Sequence, residues 1–356
     1  MSGSLNTAVV TEAIEQIGSP VAERIEGLLT AEIQRWRALD EALVEPLSSL
    51  RSLVRAGGKR LRPAFCYWAF VGAGGDPDDP DIVDAGAALE LLHSFALVHD
   101  DVMDDSRRRR GDDAVHVQFE LAHAAAGWSG ESRRFGEGVG ILVGDMAFVY
   151  ADHLMSKAPV DARAVFTELR VELNVGQYLD LAATVRSDAS LPMARKIAQY
   201  KSGKYTVERP MHLGAALAGR AGDLAGAFST YGQPVGEAFQ LRDDILGAFG
   251  DSDVLGKPVG GDLREGKATA LLAIARERAT GNTSTILARY GASDLGEDEV
   301  EALQKVLVDT GALAAVEETI DVLIKVGIEG IEKAAVTTEA RANLVELAYF
   351  VAGRLH

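Results

Sequence analysis

Residues 89–111, LELLHSFALVHDDVMDDSRRRRG, run from mostly apolar turns straight into a block of charge. Four aspartates (Asp100, Asp101, Asp104, Asp105) and four arginines (Arg107, Arg108, Arg109, Arg110) share eleven consecutive positions. The apolar turns have the character of a helix buried inside a bundle rather than of a surface helix with one greasy stripe. Continued to its end, that helix sets Asp100 and Asp104 at i, i+4, with Asp101 one turn from Asp104 and Asp105. Carboxylates that close raise one another's pKa unless a cation joins them. The cation is either the neighbouring arginines or a hard metal. The bland alternative is a solvated charge run at a helix end.

The rest of the 356-residue chain reads as further helices. Apolar residues recur at helical spacing from Pro20 to about Val54, as in Val21, Ile25, Leu28, Leu29, Ile33 and Trp36. Behind RAGGKRLRP (55–63), Pro63 starts a helix through the apolar residues 64–72. Helices are expected over about 82–105, 112–126, 139–156, 161–185, from Pro192 through YKSGKYT (200–206), over about 223–249, and in the C-terminal stretch. GAGGDPDDPD (72–81), GWSGESRRFGEGVG (127–140) and GDSDVLGKPVGGDLREGK (250–267) read as loops by composition. Gly203 inside a helix costs ~1 kcal/mol relative to alanine, so a close approach or a kink is expected there. No stretch alternates as a strand does, and there is no heptad run. The fold class is therefore all-α, one large bundle over 19–356 as a single domain, behind a loose segment at 1–18.

Composition narrows the partners. With 36 basic against 53 acidic residues the net charge is −17, which argues against nucleic acid and anionic membranes as partners. Local basic clusters in so acidic a chain point to a small anionic ligand. Cys66 is the single cysteine, so neither an intrachain disulfide nor a cysteine-based zinc site is available. Glu12 and Glu15 interrupt the N-terminal region, no signal peptide or transmembrane segment is expected, and the expected location is cytoplasmic.

ALVHDDVMDD (96–105) has an echo in FQLRDDILGAF (239–249), where Asp243 and Asp244 again come late on an apolar helix. Two all-oxygen sites facing each other across a cavity suit Mg²⁺ rather than zinc, and Mg²⁺ is usually held by one or two carboxylates with water and substrate phosphate. Basic residues gather at Lys59–Arg62, Arg107–Arg110, Lys201–Lys204 and Lys257–Lys267. Cations beside metal-binding aspartates describe diphosphate sites, here enough for two, with an apolar tunnel for a hydrocarbon tail.

In chain order stand GGKRLRP, HxxxxxxDDxxDxxxxRRG, GQxLD, K-S-G, FQxxDD and GKPxGxDLxxGK. This ordered set resembles the trans-isoprenyl diphosphate synthases, most of all the geranylgeranyl diphosphate synthases, from about residue 20 to the end. The resemblance implies an isoprenoid-synthase bundle around a central cavity. It implies an enzyme that joins isopentenyl diphosphate to allylic diphosphates, C5 to C15. By resemblance, Asp100 and Asp104 hold two Mg²⁺ ions with Asp101 supporting them, and Asp243 holds a third with Asp244 behind it; Mn²⁺ can substitute. Arg109, Lys201 and Lys257 hold the allylic diphosphate, in a site lined by Gln177, Asp180, Ser202, Phe239 and Gln240. Lys59, Arg62, His93 and Arg110 hold isopentenyl diphosphate. Relatives are usually homodimers. Metals and cations meet the charge on the departing diphosphate, the double bond of isopentenyl diphosphate attacks the allylic cation, and a dry pocket keeps water away.

The chain departs from the family pattern in places. Gly247 stands where the second motif usually has its third aspartate, Ser202 stands for threonine, and Lys204 is an added charge, either solvated or on the ligand side. Arg107 and Arg108 read as solvated, His99 as structural. Two rival classes share many of these features. A class I terpene cyclase would have the fold and the first motif, but no use for Lys59, Arg62, His93 and Arg110. A non-catalytic subunit of a heteromeric synthase would account for Gly247. For product length, Phe95 and Leu92 are expected on the tunnel side, and Ala96 stands where farnesyl-forming relatives of the animal type carry a second aromatic. One aromatic and one small residue imply a deep tunnel and a C20 product; C15 or a longer chain follows if another helix closes or opens the floor.

Overall fold

The computed structural model describes residues 7–186, 190–250, 260–292 and 294–353. Helices follow one another as α1 (Thr7–Arg37), α2 (Val44–Arg55), α3 (Leu61–Gly72), α4 (Pro80–Met103), α5 (Val115–Ala126), α6 (Ser132–Leu154), α7 (Val160–Arg186) and α8 (Leu191–Ile197). A π-helix (Ala198–Glu208) leads into α9 (Arg209–Leu217) and α10 (Ala221–Phe249). The chain continues with α11 (Gly261–Glu265), α12 (Ala270–Arg278), α13 (Asn282–Leu287), α14 (Glu297–Asp309), α15 (Ala312–Glu332) and α16 (Thr338–Ala352). Strand pairing among the described residues is confined to a two-residue antiparallel ladder, Arg108–Arg109 (β1) with Asp112–Asp113 (β2).

The axial element is α4. Asp79 accepts the Asp81 amide at 2.9 Å and Pro80 opens the first turn, so the N-terminus is capped in the usual way. Leu89, Leu91 and Leu92 are fully buried, and α4 packs against α6 on one side and α3 on another. It is long and apolar enough to cross a membrane, but 61% of its apolar window lies inside the bundle. Most of the core among the described residues forms two bodies that meet at α3 and α9, beside a small third cluster of Ala183, Ile197 and Ala268. Phe65 and Ala69 of α3 join Phe228, Tyr231 and the C-terminal helices; Cys66 and Phe70, on the other side of α3, join α1, α4 and α7. Each large apolar side chain so buried contributes about 1.5–3 kcal/mol.

Two expectations are corrected. The loose segment assigned to 1–18 is helical from Thr7, because Val10 and Ile14 extend the stripe of Val21, Ile25 and Leu29 and are buried with it. The loop assigned to 127–140 ends early, since α6 begins at Ser132. Its glycines serve packing: a Cβ on Gly136 would overlap the backbone of His116 in α5, and one on Gly140 would stand 3.0 Å from Val102. Gly136, Gly140 and Gly144 lie four apart on one face, which lets α6 approach α4 and α5 closely. The expectation at Gly203 holds: it meets Gly236 of α10, where an added Cβ would be 3.0 Å from the Gly236 carbonyl carbon.

Candidate active site

A cavity of about 840 Å³ opens among α3, α4, α7, the π-helix and α10. Asp100 enters it from the last turns of α4. Lys201 Nζ donates to Asp100 at 3.1 Å and to Asp180 of α7 at 2.6 Å, and Gln177 Nε2 donates to Asp100 at 2.8 Å. Burial alone would raise the Asp100 pKa, but Lys201, Lys267 and Arg109 draw it down to about 2. Lys201 is raised despite burial by Asp100 and Asp180. The π-helix that carries Lys201 and Ser202 is a rare geometry frequently found at functional sites.

Past α4 the chain folds back on itself. Asp105 has φ 53°, and Arg110 and Gly111 have φ 54° and 85°, the two positive values that a type I′ hairpin turn needs. This hairpin sorts the four arginines. Arg109 returns to Asp101, with Nε donating to Oδ1 at 3.0 Å. Arg110 reaches across to the Leu53 carbonyl at 2.9 Å, beside Gly58. Arg107 and Arg108 stay outside, paired with Glu120 and Asp113. Asp101, expected among the metal ligands, is only 2% exposed and is engaged by the Arg109 guanidinium, so its place is behind Arg109. Asp104 caps α4 one turn beyond Asp100; burial and the Asp100 charge push it up to about 6.

Opposite lies α10. Phe239, Gln240, Asp243 and Asp244 all line the cavity. Gln240 Nε2 donates to Asp244 at 2.6 Å, yet burial, and then the charge of Asp262, push Asp244 up to about 8. Asp262 and Lys267 also line the cavity and are paired at 3.0 Å. Both belong to the motif GKPxGxDLxxGK, which by itself gives them no place at the site. Lys257 lies outside the described residues.

A second group of cations sits at the other side of the cavity. Lys59, Arg60, Arg62, His93 and Arg110 line it, together with Glu90. Arg60, in the left-handed region at φ 45°, pairs with Glu90, which is 3% exposed. Arg62 stacks 4.2 Å over the Tyr205 ring and donates to Thr206 at 3.1 Å. Burial, then Arg62 and Arg110, hold His93 well below the usual histidine range. Arg62 Nε, His93 Nδ1 and the Tyr205 hydroxyl find no partner among the described residues. Buried polar groups left so are costly unless a ligand completes them. Arg60 and Glu90 were not given roles in advance; the signal for Glu90 was a lone acid within apolar turns, which needs a partner.

Three expectations shift in detail. Ala96 lines the cavity, but Phe95 turns toward α6, where its ring lies 5.0 Å from Phe148 and 4.6 Å from His99. Leu92 is sealed in the core. Helix geometry separates the two: Phe95, one residue from Ala96, is turned 100° away from the cavity, whereas Leu92, four back from Ala96, shares its face one turn deeper, inside the core. Lys204 is neither solvated nor on the ligand side; it pairs with Glu172 at 2.5 Å, beside Arg209. His99 packs as structural, 3.0 Å from the Ile141 carbonyl.

Among the described residues no three histidine, cysteine or acidic side chains converge into a ready-made metal cage. The aspartates on α4 and α10 instead offer oxygen donors on opposite walls, with Asp104 and Asp244 pushed up chiefly by burial and then by neighbouring carboxylates. That donor set fits hard divalent cations that complete their shell with phosphate oxygens.

The comparisons with known proteins agree with this geometry. A short chain isoprenyl diphosphate synthase of Methanothermobacter thermautotrophicus is 35% identical over 67% of this chain and 70% of that relative. A geranylgeranyl diphosphate synthase of Methanosarcina mazei is 32% identical over 78% of this chain and 81% of the relative. The crystal structure of a geranylgeranyl pyrophosphate synthase from Corynebacterium glutamicum, complexed with isoprenyl diphosphate and magnesium, superposes with a TM-score of 0.87 at 33% identity, covering 99% of this chain and 100% of that one. Other relatives, from Mycobacterium bovis and Mycobacterium tuberculosis, are named farnesyl and nonaprenyl diphosphate synthases, so the shared chemistry spans several product lengths. A family model described as polyprenyl synthetase matches residues 45–307. The chain belongs to the polyprenyl synthetase family and is a trans-prenyltransferase.

Proposed function

We propose that this chain condenses isopentenyl diphosphate with allylic diphosphates, C5 to C15, and that its main product is geranylgeranyl diphosphate (C20). The observation that carries the reading is the division of one cavity into two cationic ends. One group, Arg109, Lys201 and Lys267, stands among carboxylates; the other, Lys59, Arg62, His93 and Arg110, keeps unfilled hydrogen-bonding atoms. Two different diphosphates fit two such ends. A terpene cyclase, with one diphosphate to bind, has no use for the second.

In this reading Asp100, Asp104, Asp243 and Asp244 hold Mg²⁺, with Mn²⁺ as a substitute, and the bound metal supplies positive charge to the allylic diphosphate as its C–O bond breaks. Lys201 and Arg109, already fixed by Asp180 and Asp101, bind the same group without having to reorganise. Lys59, Arg62, His93 and Arg110 hold isopentenyl diphosphate so that its double bond faces the allylic carbon. A new carbon–carbon bond forms there, and the released diphosphate takes the proton lost. Phe239, Leu173 and Ile197 keep the wall apolar and water out. Ala96, small and on the wall, supports room for a C20 chain.

The reading includes a cytoplasmic homodimer. Leu121 and Trp128 at α5, and Phe135, Ile141, Leu142 and Val149 on α6, are exposed apolar side chains on adjoining helices, a face that a second copy would cover. Sedimentation should give the dimer mass, and Leu142→Asp should give monomer. The test of the activity is consumption of isopentenyl diphosphate by the purified chain with Mg²⁺ and an allylic primer. Turnover of primer without it would overturn the reading in favour of a cyclase, and inertness of the chain would favour a non-catalytic subunit.

A further inference from the structure

The π-helix keeps its geometry for eleven residues, Ala198–Glu208, where such geometry usually lasts a single turn. It is held from outside. Three positions of α7, four apart on one face, meet it in succession. Asp180 accepts from Lys201 Nζ at 2.6 Å. At Gly176 an added Cβ would overlap the backbone of Tyr200 and Lys201, so the two helices touch there. Glu172, 7% exposed, accepts from Lys204 Nζ at 2.5 Å and from Arg209 Nε at 2.6 Å. Arg209 opens α9, directly after the π-helix ends. Lys201 faces the cavity, while Lys204, three positions on, turns to α7. The other groups near Lys204 Nζ are Glu208 at 3.8 Å and the Tyr200 ring at 5.2 Å, both on the π-helix itself. The bond to Glu172 is therefore what ties Lys204 to α7. Lys204 is the charge this chain adds beside K-S-G, and the proposed reaction gives it no part.

We infer that the buried pair Lys204–Glu172 positions Lys201: it pins the π-helix to α7, so that Lys201 Nζ stands between Asp100 and Asp180. Without the pin the segment relaxes toward an α-helix. The i→i+4 bonds of an α-helix wind successive side chains further round the axis than i→i+5 bonds do, and Lys201 leaves its place. Arg209 keeps Glu172 paired in either case, so loss of Lys204 strands no buried carboxylate. Lys204 and Glu172 are positioning residues, since both act through Lys201. The inference rests on the reading of Lys201 as a ligand of the allylic diphosphate.

The test compares the wild type with Lys204→Met, Lys204→Arg and Glu172→Gln. Each substrate-free protein receives a short pulse of acetic anhydride, and mass spectrometry follows acetylation of Lys201 and Lys267. Both lysines line the cavity paired with acids, but Lys267 lies outside the π-helix and serves as the internal control. Lys204→Met should label at Lys201 at least about 10-fold faster, because a lysine that leaves its two acids loses the rise in pKa they cause. Lys267 should label as in the wild type. The same variant should lose at least about 10-fold in kcat/KM for the allylic primer, the scale of a small misplacement at a reacting group. Lys204→Arg restores the bond and should behave as the wild type. Glu172→Gln weakens the bond from the α7 side, should move both readouts as Lys204→Met does, and carries the test if Lys204→Met does not fold. Unchanged labelling of Lys201 would overturn the inference. So would a rise at Lys267 equal to that at Lys201, which is general loosening, or a Lys204→Arg variant that behaves as Lys204→Met. Faster labelling of Lys201 with undiminished kcat/KM would leave Lys204 placing Lys201 and overturn the role given to Lys201 in the reaction.

Discussion

The two carboxylate walls of the cavity are built on opposite electrostatic plans. On α4 the acids next to the cavity come with cations: Asp101 with Arg109, and Asp100 with Lys201 at 3.1 Å. On α10 the buried acid, Asp244, has a neutral donor, Gln240, and a second acid, Asp262, near it. Asp100 is accordingly drawn down to about 2 and Asp244 pushed up to about 8. On the first wall Asp100 is charged before anything binds, although Asp104, pushed up to about 6, is less so. The second becomes fully charged only when cations arrive, so the two walls report different stages of assembling the site.

The largest effect expected from this contrast is catalytic. Asp100→Asn removes the preorganised carboxylate that Lys201 and Gln177 share, and should lower kcat by about 10³-fold, with Asp243→Asn costing about 10²-fold. Steady-state rates at saturating substrates check the order; a larger loss at Asp243 would break the contrast.

Next in size is the pH dependence of stability in the metal-free protein, where the two walls should give opposite signs. The unfolded pKa of aspartate is about 3.9. Asp244, at about 8 when folded, keeps a proton that the unfolded chain has lost between about pH 4 and pH 8, so it makes stability fall as pH rises through that window. Asp244→Asn removes this loss, and its advantage over the wild type should grow toward pH 8, reaching several kcal/mol, at most about 5. Asp100, at about 2 when folded, contributes stability that is fully present above its unfolded pKa and is lost as pH falls through about 2. Asp100→Asn should therefore be less stable than the wild type at neutral pH. Denaturant unfolding at several pH values measures both, and a shift of the same sign for the two variants would contradict the contrast.

The smallest effect concerns product length, where total turnover should change little. Ala96→Phe places a ring on the cavity wall and should shift the main product toward C15. Phe95→Ala, whose ring lies on Phe148, should shift it less and toward longer chains. Product chromatography separates the two, and a larger shift from Phe95→Ala would place the floor between α4 and α6.

Much of this was legible in the sequence wherever function rides on local spacing. The i, i+4 placement of Asp100 and Asp104 and the echo at Asp243 needed no more than a helix. The glycine at 203 announced a close approach, which Gly236 supplies. What escaped depended on tertiary packing. Gly136 and Gly140 looked like loop residues because composition does not distinguish a flexible glycine from one that lets two helices touch. Residues 7–18 looked polar because two buried side chains, Val10 and Ile14, are few against their exposed neighbours. Asp262 stands in the motif GKPxGxDLxxGK, but its meeting with Gly247, fifteen positions away, runs through a turn whose course no periodicity encodes.

The most direct test of the two-ended cavity is the product series from C5, C10 and C15 primers with isopentenyl diphosphate and Mg²⁺. A two-diphosphate site with a small residue at Ala96 predicts that all three primers are elongated and converge on C20. A dominant C15 product from the C5 and C10 primers, or no elongation of the C15 primer, would contradict it.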